Sequence, residues 1–307
     1  MTMRSTRRQF SAFALAAMTL AALPTRLMAS SQSFAGGKLH SFSDGPMNLP
    51  IESVFYDIFG DDRQKYLKAA KVSDGIWRRA VNINLLEAGE RKILFDVGSG
   101  LNFLPTLGEL PAALDTAGVD IGTITDVVFT HAHPDHIWGI LDDFDDLLMP
   151  DAAYHISQVE WDFWDSDDAL NVMVPGRESF AVGAKSRFDK LRDQISFFKG
   201  ADEILSGIEA VDTSGHTPGH ASFLIHNSAG PVLIAGDALT HPIISIEHPE
   251  WQDPADMDRG KAALTRKRLL DRLASDQIGL AATHLPAPGF GHVETNQSVW
   301  RYIAADS

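Results

Sequence analysis

Apolar residues follow two patterns along this chain, one typical of strands and one typical of helices. Short apolar runs bounded by turn residues predict strands, some of them joined as hairpins. These predicted strands are Ala80–Leu86, Lys92–Phe95, Thr125–Thr130, Ala221–Ile225 and Val232–Ala235. Stretches with a helical period predict helices at Phe103–Ala117, Val159–Asp165, Phe180–Phe198 and Met257–Ser275. Strand pairs that alternate with helices predict an α/β (α+β) domain in which helices cover sheets.

The amino-terminal segment has a pattern of its own. Arg7 and Arg8 precede an apolar run, Ala12–Leu23, that is too short to cross a bilayer and is followed by a small-residue cleavage segment near Ala29. This order predicts a cleavable export signal over residues 1–29. The arginine pair resembles that of a twin-arginine signal, so the Tat export machinery is the expected partner of the precursor. An ordinary secretory signal is the alternative.

The remainder of the chain, residues 30–307, is predicted to form one domain, since no internal repeat, long linker or second membrane-length apolar run interrupts it. We therefore expect a periplasmic protein without a stable membrane anchor. The sequence contains 26 basic and 41 acidic residues, and loss of the four arginines in the signal leaves a formal net charge of −19. Such an acidic chain repels a phosphate backbone, which argues against nucleic acid as a partner.

The strongest chemical pattern is the polar run Thr130–His136, directly after a predicted strand. In an extended chain alternate side chains point the same way, so His131 and His133 leave the strand together. The proline that follows suits the first turn of a helix, which brings Asp135 and His136 toward the same point. Four candidate metal ligands therefore converge within six residues, a pattern that chance rarely produces.

Three further segments place a polar side chain after an apolar strand. His216 lies in a Gly-His-Thr-Pro-Gly-His loop, where glycine and proline fix an otherwise mobile backbone. Asp237 follows the run Val232–Ala235, and a carboxylate in that place needs a cation or several donors nearby. His284 ends another short apolar strand, before a turn rich in proline and glycine. Because the sequence contains no cysteine, nitrogen and oxygen atoms must hold any metal.

Together these motifs resemble the metallo-β-lactamase superfamily over about Phe42 to Val293, and within it the methyl parathion hydrolase-like group. The likeness includes the phrases Ser43-Asp44-Gly45 and Phe95-Asp96-Val97-Gly98-Ser99-Gly100, and the turn from His284 to His292. The resemblance implies a four-layer αββα sandwich that carries its metal ligands at one lip.

The resemblance also implies two metal sites that share a carboxylate. One metal would bind His131, His133 and His216, the other Asp135, His136 and His284, and Asp237 would bridge the two. Imidazole and carboxylate ligands suit zinc, so two zinc ions are the expected cofactors, with manganese, iron and cobalt also compatible. Asp237 would position the attacking hydroxide, and Asp135 would pass a proton to the leaving group. Asp96 would orient the first histidine loop through hydrogen bonds.

The implied enzyme is an exported binuclear hydrolase of lactones, aryl esters or phosphotriesters. The negative net charge favours a small, neutral, hydrophobic ester-like substrate. Within the superfamily, a glyoxalase II-like thioester hydrolase or a β-lactamase is the alternative, and the non-enzyme alternative is an inert metal-binding protein. A homodimer is compatible with the sequence, which does not specify an oligomeric state.

Residues around the metals also carry expectations. The resemblance at Asp162-Phe163-Trp164 implies that Trp164 forms an aromatic wall of the substrate pocket. His220 opens the strand after the Gly-His-Thr-Pro-Gly-His loop and is expected to support the site instead of binding metal. His241 follows Asp237 by four residues and would line the pocket without acting as a ligand.

Overall fold

The structure, a computed structural model, describes residues 29–34, 37–297 and 299–305. The predicted export signal lies outside these residues except for Ala29, where the first strand begins. Within the described ranges, no helix combines the length and the apolar character needed to cross a membrane.

The described residues form fourteen strands and eight α-helices. The strands are β1 Ala29–Phe34, β2 Gly37–Pro50, β3 Ile76–Ala88, β4 Arg91–Phe95, β5 Asp126–Val128, β6 Ala153–Ser157, β7 Ile195–Phe198, β8 Glu203–Leu205, β9 Ile208–Asp212, β10 Ala221–Ile225, β11 Val232–Ile234, β12 Gly279–Ala281, β13 Phe290–Asn296 and β14 Val299–Ala304. The helices are α1 Ile51–Val54, α2 Gly60–Ala69, α3 Leu110–Thr116, α4 Pro134–Ile137, α5 Gln158–Asp165, α6 Asp167–Val172, α7 Glu178–Leu191 and α8 Arg259–Ser275. A π-helical turn covers Pro242–Glu247.

The strands form two seven-stranded sheets, one from each half of the chain. In the first sheet the order runs from β1 to β7, antiparallel up to β4 and parallel from β4 onward. In the second sheet the order runs from β8 to β14, and β11 and β12 form its one parallel pair. Parallel neighbours need crossover connections, and these contain helices α3, α4, α5, α7 and α8.

Alternate residues of a strand pack on opposite faces of its sheet. In β4, Ile93 and Phe95 enter the core between the two sheets, where the Phe95 ring lies 5.6 Å from that of Phe223. Leu94 points the other way, into the core shared with the helices that cover the first sheet. On the second sheet, α8 packs its apolar face through residues such as Leu270. The predicted αββα sandwich is confirmed.

Two predicted helices are shorter than their sequence patterns suggest. The segment predicted as the helix Phe180–Phe198 contains α7 and then β7, which pairs with β6. Phe198 is only 5% exposed and packs between the sheets, so a tertiary partner decides how this short apolar run folds. The helix predicted at Phe103–Ala117 is reduced to α3, because Gly108 has a φ of 89° and a left-handed residue interrupts a helix.

A buried carboxylate fixes the loop that follows β4. Asp44 is fully buried and accepts hydrogen bonds from the backbone N–H groups of Ser99 and Leu110, at 2.9 and 3.1 Å. Gly98 has a φ of 69°, and a Cβ there would lie 2.5 Å from the Asp44 carboxyl carbon. Burial raises the pKa of Asp44 to about 6, although the hydrogen bonds act in the opposite direction. Its titration is therefore coupled to folding.

We expect this coupling to appear as a loss of stability with rising pH. The folded-state pKa of Asp44 lies above the ordinary value of 3.8, so between about pH 4 and pH 6 the folded chain binds more protons than the unfolded chain. From pH 4 to pH 7, the unfolding free energy of the wild type should fall by about 2 kcal/mol relative to that of D44N, which lacks this titration. Urea unfolding of both proteins at pH 4 and pH 7 measures this change. If the wild type and D44N differed in unfolding free energy by the same amount at both pH values, the coupling would be contradicted.

Candidate metal centre

The backbone directions of the two sheets bring the predicted ligands to one lip of the sandwich. Strands β9, β11 and β12 run in the same direction, so the loops after them meet at one edge. These loops carry His216, Asp237 and His284. Across the sandwich, the loop after β5 carries His131 and His133 and leads into α4. All seven predicted ligands come together in three overlapping groups of potential metal-binding atoms.

The first group consists of three imidazoles. His133 Nδ1 lies 3.0 Å from His131 Nε2 and 3.0 Å from His216 Nε2. Burial, followed by the neighbouring histidines, lowers the pKa values of His131 and His133 well below the ordinary value. These two rings are therefore neutral at pH 7, which is the form that binds a metal.

A second group, which shares no residue with the first, combines the carboxylate of Asp135 with the imidazoles of His136 and His284. Asp135 Oδ2 lies 3.4 Å from His136 Nε2 and 3.2 Å from His284 Nε2. Asp237 joins the two groups, since its Oδ2 atom lies 3.4 Å from His216 Nε2 and 3.2 Å from His284 Nε2. Its Oδ1 atom lies 3.3 Å from His136 Nε2. Asp237 is thus the ligand that two metals could share.

Several features of these residues fit bound cations. His136 Nε2 and Asp237 Oδ1 are fully buried, and neither has a partner in hydrogen-bond geometry among the described residues. Burial alone would lower the pKa of His284, but Asp237 and Asp135 outweigh it and raise the pKa to about 9. The two carboxylates therefore favour positive charge at this point. A nitrogen and oxygen donor set with this arrangement suits a pair of divalent metals such as zinc.

Asp96 holds the first histidine loop from behind. Its Oδ1 atom accepts a hydrogen bond from the backbone N–H of Thr130, and its Oδ2 atom lies 2.8 Å from His136 Nδ1. The Thr130 hydroxyl also bonds Asp96 and lies 3.0 Å from His131 Nδ1. Contacts of this kind fix a ring so that its other nitrogen faces the metal. This is the place that the sequence motif implied for Asp96.

A second support, made by Asp256 and Arg266, was not predicted from the sequence. Asp256 Oδ1 lies 3.0 Å from His216 Nδ1, and Asp256 Oδ2 accepts a hydrogen bond from Arg266 Nη1 at 2.7 Å. Arg266 is 2% exposed and lies on the buried face of α8. The only signal in the sequence is a charged residue among the apolar positions of that helix. The contact joins positions that are 40 residues apart, so local spacing does not reveal it.

Glu160 is a further support that was not predicted from the sequence. It joins the two histidine loops, which are the loop with His131 and His133 and the loop with His216. This carboxylate is fully buried in α5. It accepts four hydrogen bonds, from Ala132 N at 3.0 Å, Trp164 Nε1 at 2.7 Å, Thr217 Oγ1 at 2.8 Å and Gly219 N at 2.8 Å. Burial raises the pKa of Glu160, while the four donors lower it. The carboxylate thus binds the backbone next to His131 and, at the same time, the Thr217 hydroxyl and the Gly219 backbone in the loop of His216.

Two predicted pocket residues lie elsewhere. Trp164 is 0% exposed and is absent from the cavity lining, because its ring packs behind His133 and its N–H donates to Glu160. His241 stacks on Trp77 and lines a neighbouring groove, where its Nδ1 atom accepts a hydrogen bond from the backbone N–H of Ile243. His220, as expected, is a supporting residue: its Nε2 atom accepts a hydrogen bond from Asp237 N.

The metal-binding atoms open onto a cavity of about 450 Å³. His133, Asp135, His216, Asp237 and His284 contribute to its lining. The rest of the wall is largely apolar and aromatic and includes Met47, Leu49, Trp77, Phe103 and Phe180. The cavity therefore offers an apolar binding surface next to a polar, metal-binding floor.

The chain belongs to the metallo-β-lactamase superfamily, whose family model matches residues 76–277. It is a hydrolase of that superfamily, with His and Asp groups arranged to hold divalent metals.

Several solved structures are similar to this chain over most of its length. AidC, a dizinc quorum-quenching lactonase in complex with the product N-hexanoyl-L-homoserine, is 26% identical with a TM-score of 0.81, over 91% of this chain and 98% of AidC. The hydrolase AbOPH is 24% identical with a TM-score of 0.82, over 91% of this chain and 98% of AbOPH. A probable metal-dependent hydrolase from Staphylococcus aureus is 16% identical with a TM-score of 0.73, over 90% of this chain and 99% of that hydrolase. The latter two show the fold alone. Comparison with curated protein sequences finds no match.

Proposed function

We propose that this protein is a dizinc hydrolase of lactones and aryl esters, with weaker activity on phosphotriesters. The observation that carries the proposal is Asp237, whose oxygens face ligands of both groups at the floor of an apolar cavity. The likeness to AidC supports a lactone as substrate, since that relative is a dizinc lactonase. The aromatic wall supports a substrate with an apolar acyl or aryl part.

The residues divide the chemistry among them. Two divalent metals, held by the seven ligands, would supply an activated water and a Lewis acid for the scissile carbonyl or phosphoryl oxygen. Asp237 orients the water for attack. Asp135, whose carboxylate lies beside His136 and His284, would accept a proton from this water and pass it to the leaving oxygen. Asp96 and Asp256 keep the rings of His136 and His216 in position throughout.

The amino-terminal sequence supports a second part of the proposal, which is export. The pair Arg7 and Arg8 before an apolar run is typical of precursors that cross the membrane folded. Export after folding would let the chain acquire its metals before it reaches the periplasm.

A substrate panel on zinc-loaded protein tests the activity. We expect hydrolysis of lactones and aryl esters, slower hydrolysis of a phosphotriester, and loss of all activities after chelation with recovery on adding zinc. A β-lactam and a glutathione thioester complete the panel, because they represent the two alternative activities of the superfamily. Efficient cleavage of those two alone would replace the proposed function. A protein that binds two metals and hydrolyses none of the panel would be an inert metal-binding protein.

A further inference from the structure

Two arginines line the metal-site cavity, in contrast to the acidic character of the whole chain. Arg79 on β3 and Arg177 before α7 both line the cavity of about 450 Å³ whose floor carries the metal-binding atoms. Arg177 also lines an adjoining cavity of about 560 Å³, together with His133 and Phe180. The formal net charge of −15 therefore says little about the charge that a substrate meets here.

Arg79 has a partner within the protein. Its Nη2 atom donates to Asp253 Oδ2 at 3.1 Å, and Asp253 also accepts hydrogen bonds from the Thr240 hydroxyl and from Ala255 N. Arg79 and Asp253 are both more than nine-tenths buried. This pair is a structural element of the wall, and its charges largely cancel.

Arg177 has no such partner. Its guanidinium lies 5.0 Å from the centre of the Tyr56 ring, and no carboxylate of the described residues lies within 4.0 Å of it. Burial lowers the pKa of Arg177; Tyr56 and Asp253 act in the opposite direction, and the nearby cations Arg79 and Arg259 lower the pKa further. Its position at the beginning of α7 is also unfavourable, because a helix amino terminus repels a cation. Arg177 therefore neither stabilises the start of α7 nor forms an ion pair within the described residues, so neither role explains an arginine at this position.

The acidic residues around Arg177 are engaged elsewhere or exposed. Asp57 pairs with Arg259 at 2.9 Å, and Asp256 with Arg266 at 2.7 Å. Asp258 caps α8 through the backbone N–H of Lys261. Glu52, the remaining acidic side chain of the lining apart from the metal ligands, is exposed at the rim. The half-buried guanidinium is thus left to attract an anion from outside the protein.

We propose that Arg177 binds a carboxylate of the substrate, so that the preferred substrate is an ester or lactone with a second, negatively charged group away from the scissile bond. The inference rests on the proposed hydrolase function and changes its substrate class, since the sequence favoured a neutral molecule. The two adjoining cavities provide the space, with the reacting group at the metal-binding floor and the carboxylate at Arg177. The Tyr56 ring, 5.0 Å from the guanidinium, holds it by a cation–π contact.

A matched pair of phenyl esters tests the proposal on the zinc-loaded protein. Monophenyl glutarate carries a free carboxylate, and methyl phenyl glutarate is its neutral counterpart with the same scissile bond. Phenol release should give a kcat/KM about 10- to 100-fold higher for the anionic ester, as expected for one charge-assisted hydrogen-bonded contact. R177Q should abolish this preference, mainly through KM, and R177K should keep part of it. R192Q, which changes an exposed arginine directly after the carboxyl end of α7, should behave as the wild type.

The outcomes separate the two proposals. If the wild type uses both esters equally, or if R177Q slows both to the same extent, the carboxylate site is refuted and the hydrolase function stands. If neither ester is hydrolysed, the proposed activity is refuted for aryl esters, and calorimetric titration with glutaranilic acid, an anionic anilide, then decides the site. Binding that R177Q abolishes supports it, and binding that is absent or unchanged by R177Q overturns it.

Discussion

Replacing Asp237 by alanine is expected to lower kcat/KM on the order of a thousandfold while the fold is retained. Asp237 is the carboxylate that faces both groups of ligands, and its Oδ1 atom is buried without a hydrogen-bond partner among the described residues. Its loss would leave His136, His216 and His284 without the charge that they share. We expect metal content to fall below two per chain. Steady-state kinetics on the best substrate of the panel and elemental analysis measure the two effects.

The matched control for this variant is D115N. Asp115 is exposed in α3, and its side chain makes no hydrogen bond among the described residues, so this change removes a carboxylate of the same kind without touching the cavity. We expect wild-type turnover and metal content from it. Near-normal turnover of D237A with two bound metals would contradict the shared-ligand role.

Replacing Glu160 by alanine is expected to reduce the unfolding free energy on the order of 4 kcal/mol, since four buried donors lose their acceptor. The two histidine loops would then move independently, so zinc affinity should fall on the order of 10- to 100-fold. E160Q keeps the shape of the side chain but turns an amide N–H₂ toward two of these four donors, and an intermediate effect is expected. Chemical unfolding and zinc competition with a chelator measure both quantities.

E90A is the control for the Glu160 variants, because Glu90 is exposed in the turn between β3 and β4. It should change neither stability nor zinc affinity by a measurable amount. If E160A bound zinc as tightly as the wild type, Glu160 would be a part of the core without influence on the metal centre.

The sequence alone was sufficient to predict the architecture and the candidate ligands that the structure brings together. Each ligand lies in a loop or a first helical turn that follows a short apolar strand, and the strand period and the proline at the start of α4 act over a few residues. Such local rules do not depend on distant parts of the chain. They indicated which side chains could bind a metal, while the family resemblance implied that these side chains gather at the lip of an αββα sandwich. The structure brings all seven together.

Local rules did not predict the walls of the cavity or the supports behind the ligands. Trp164 matched a family motif, yet α5 turns it into the core, and Trp77 and Phe103 line the cavity in its place. Glu160 and Arg177 gave no signal in the sequence, since each acts on segments that only the packed sheets and helices bring near. The net charge of the chain likewise did not predict the charge of the cavity. A net charge sums the whole surface, whereas the potential in a cavity depends on the few charges that are left unpaired beside it. The candidate ligands were therefore predictable from short-range sequence pattern, whereas the size, lining and charge of the cavity beside them were set by the tertiary fold.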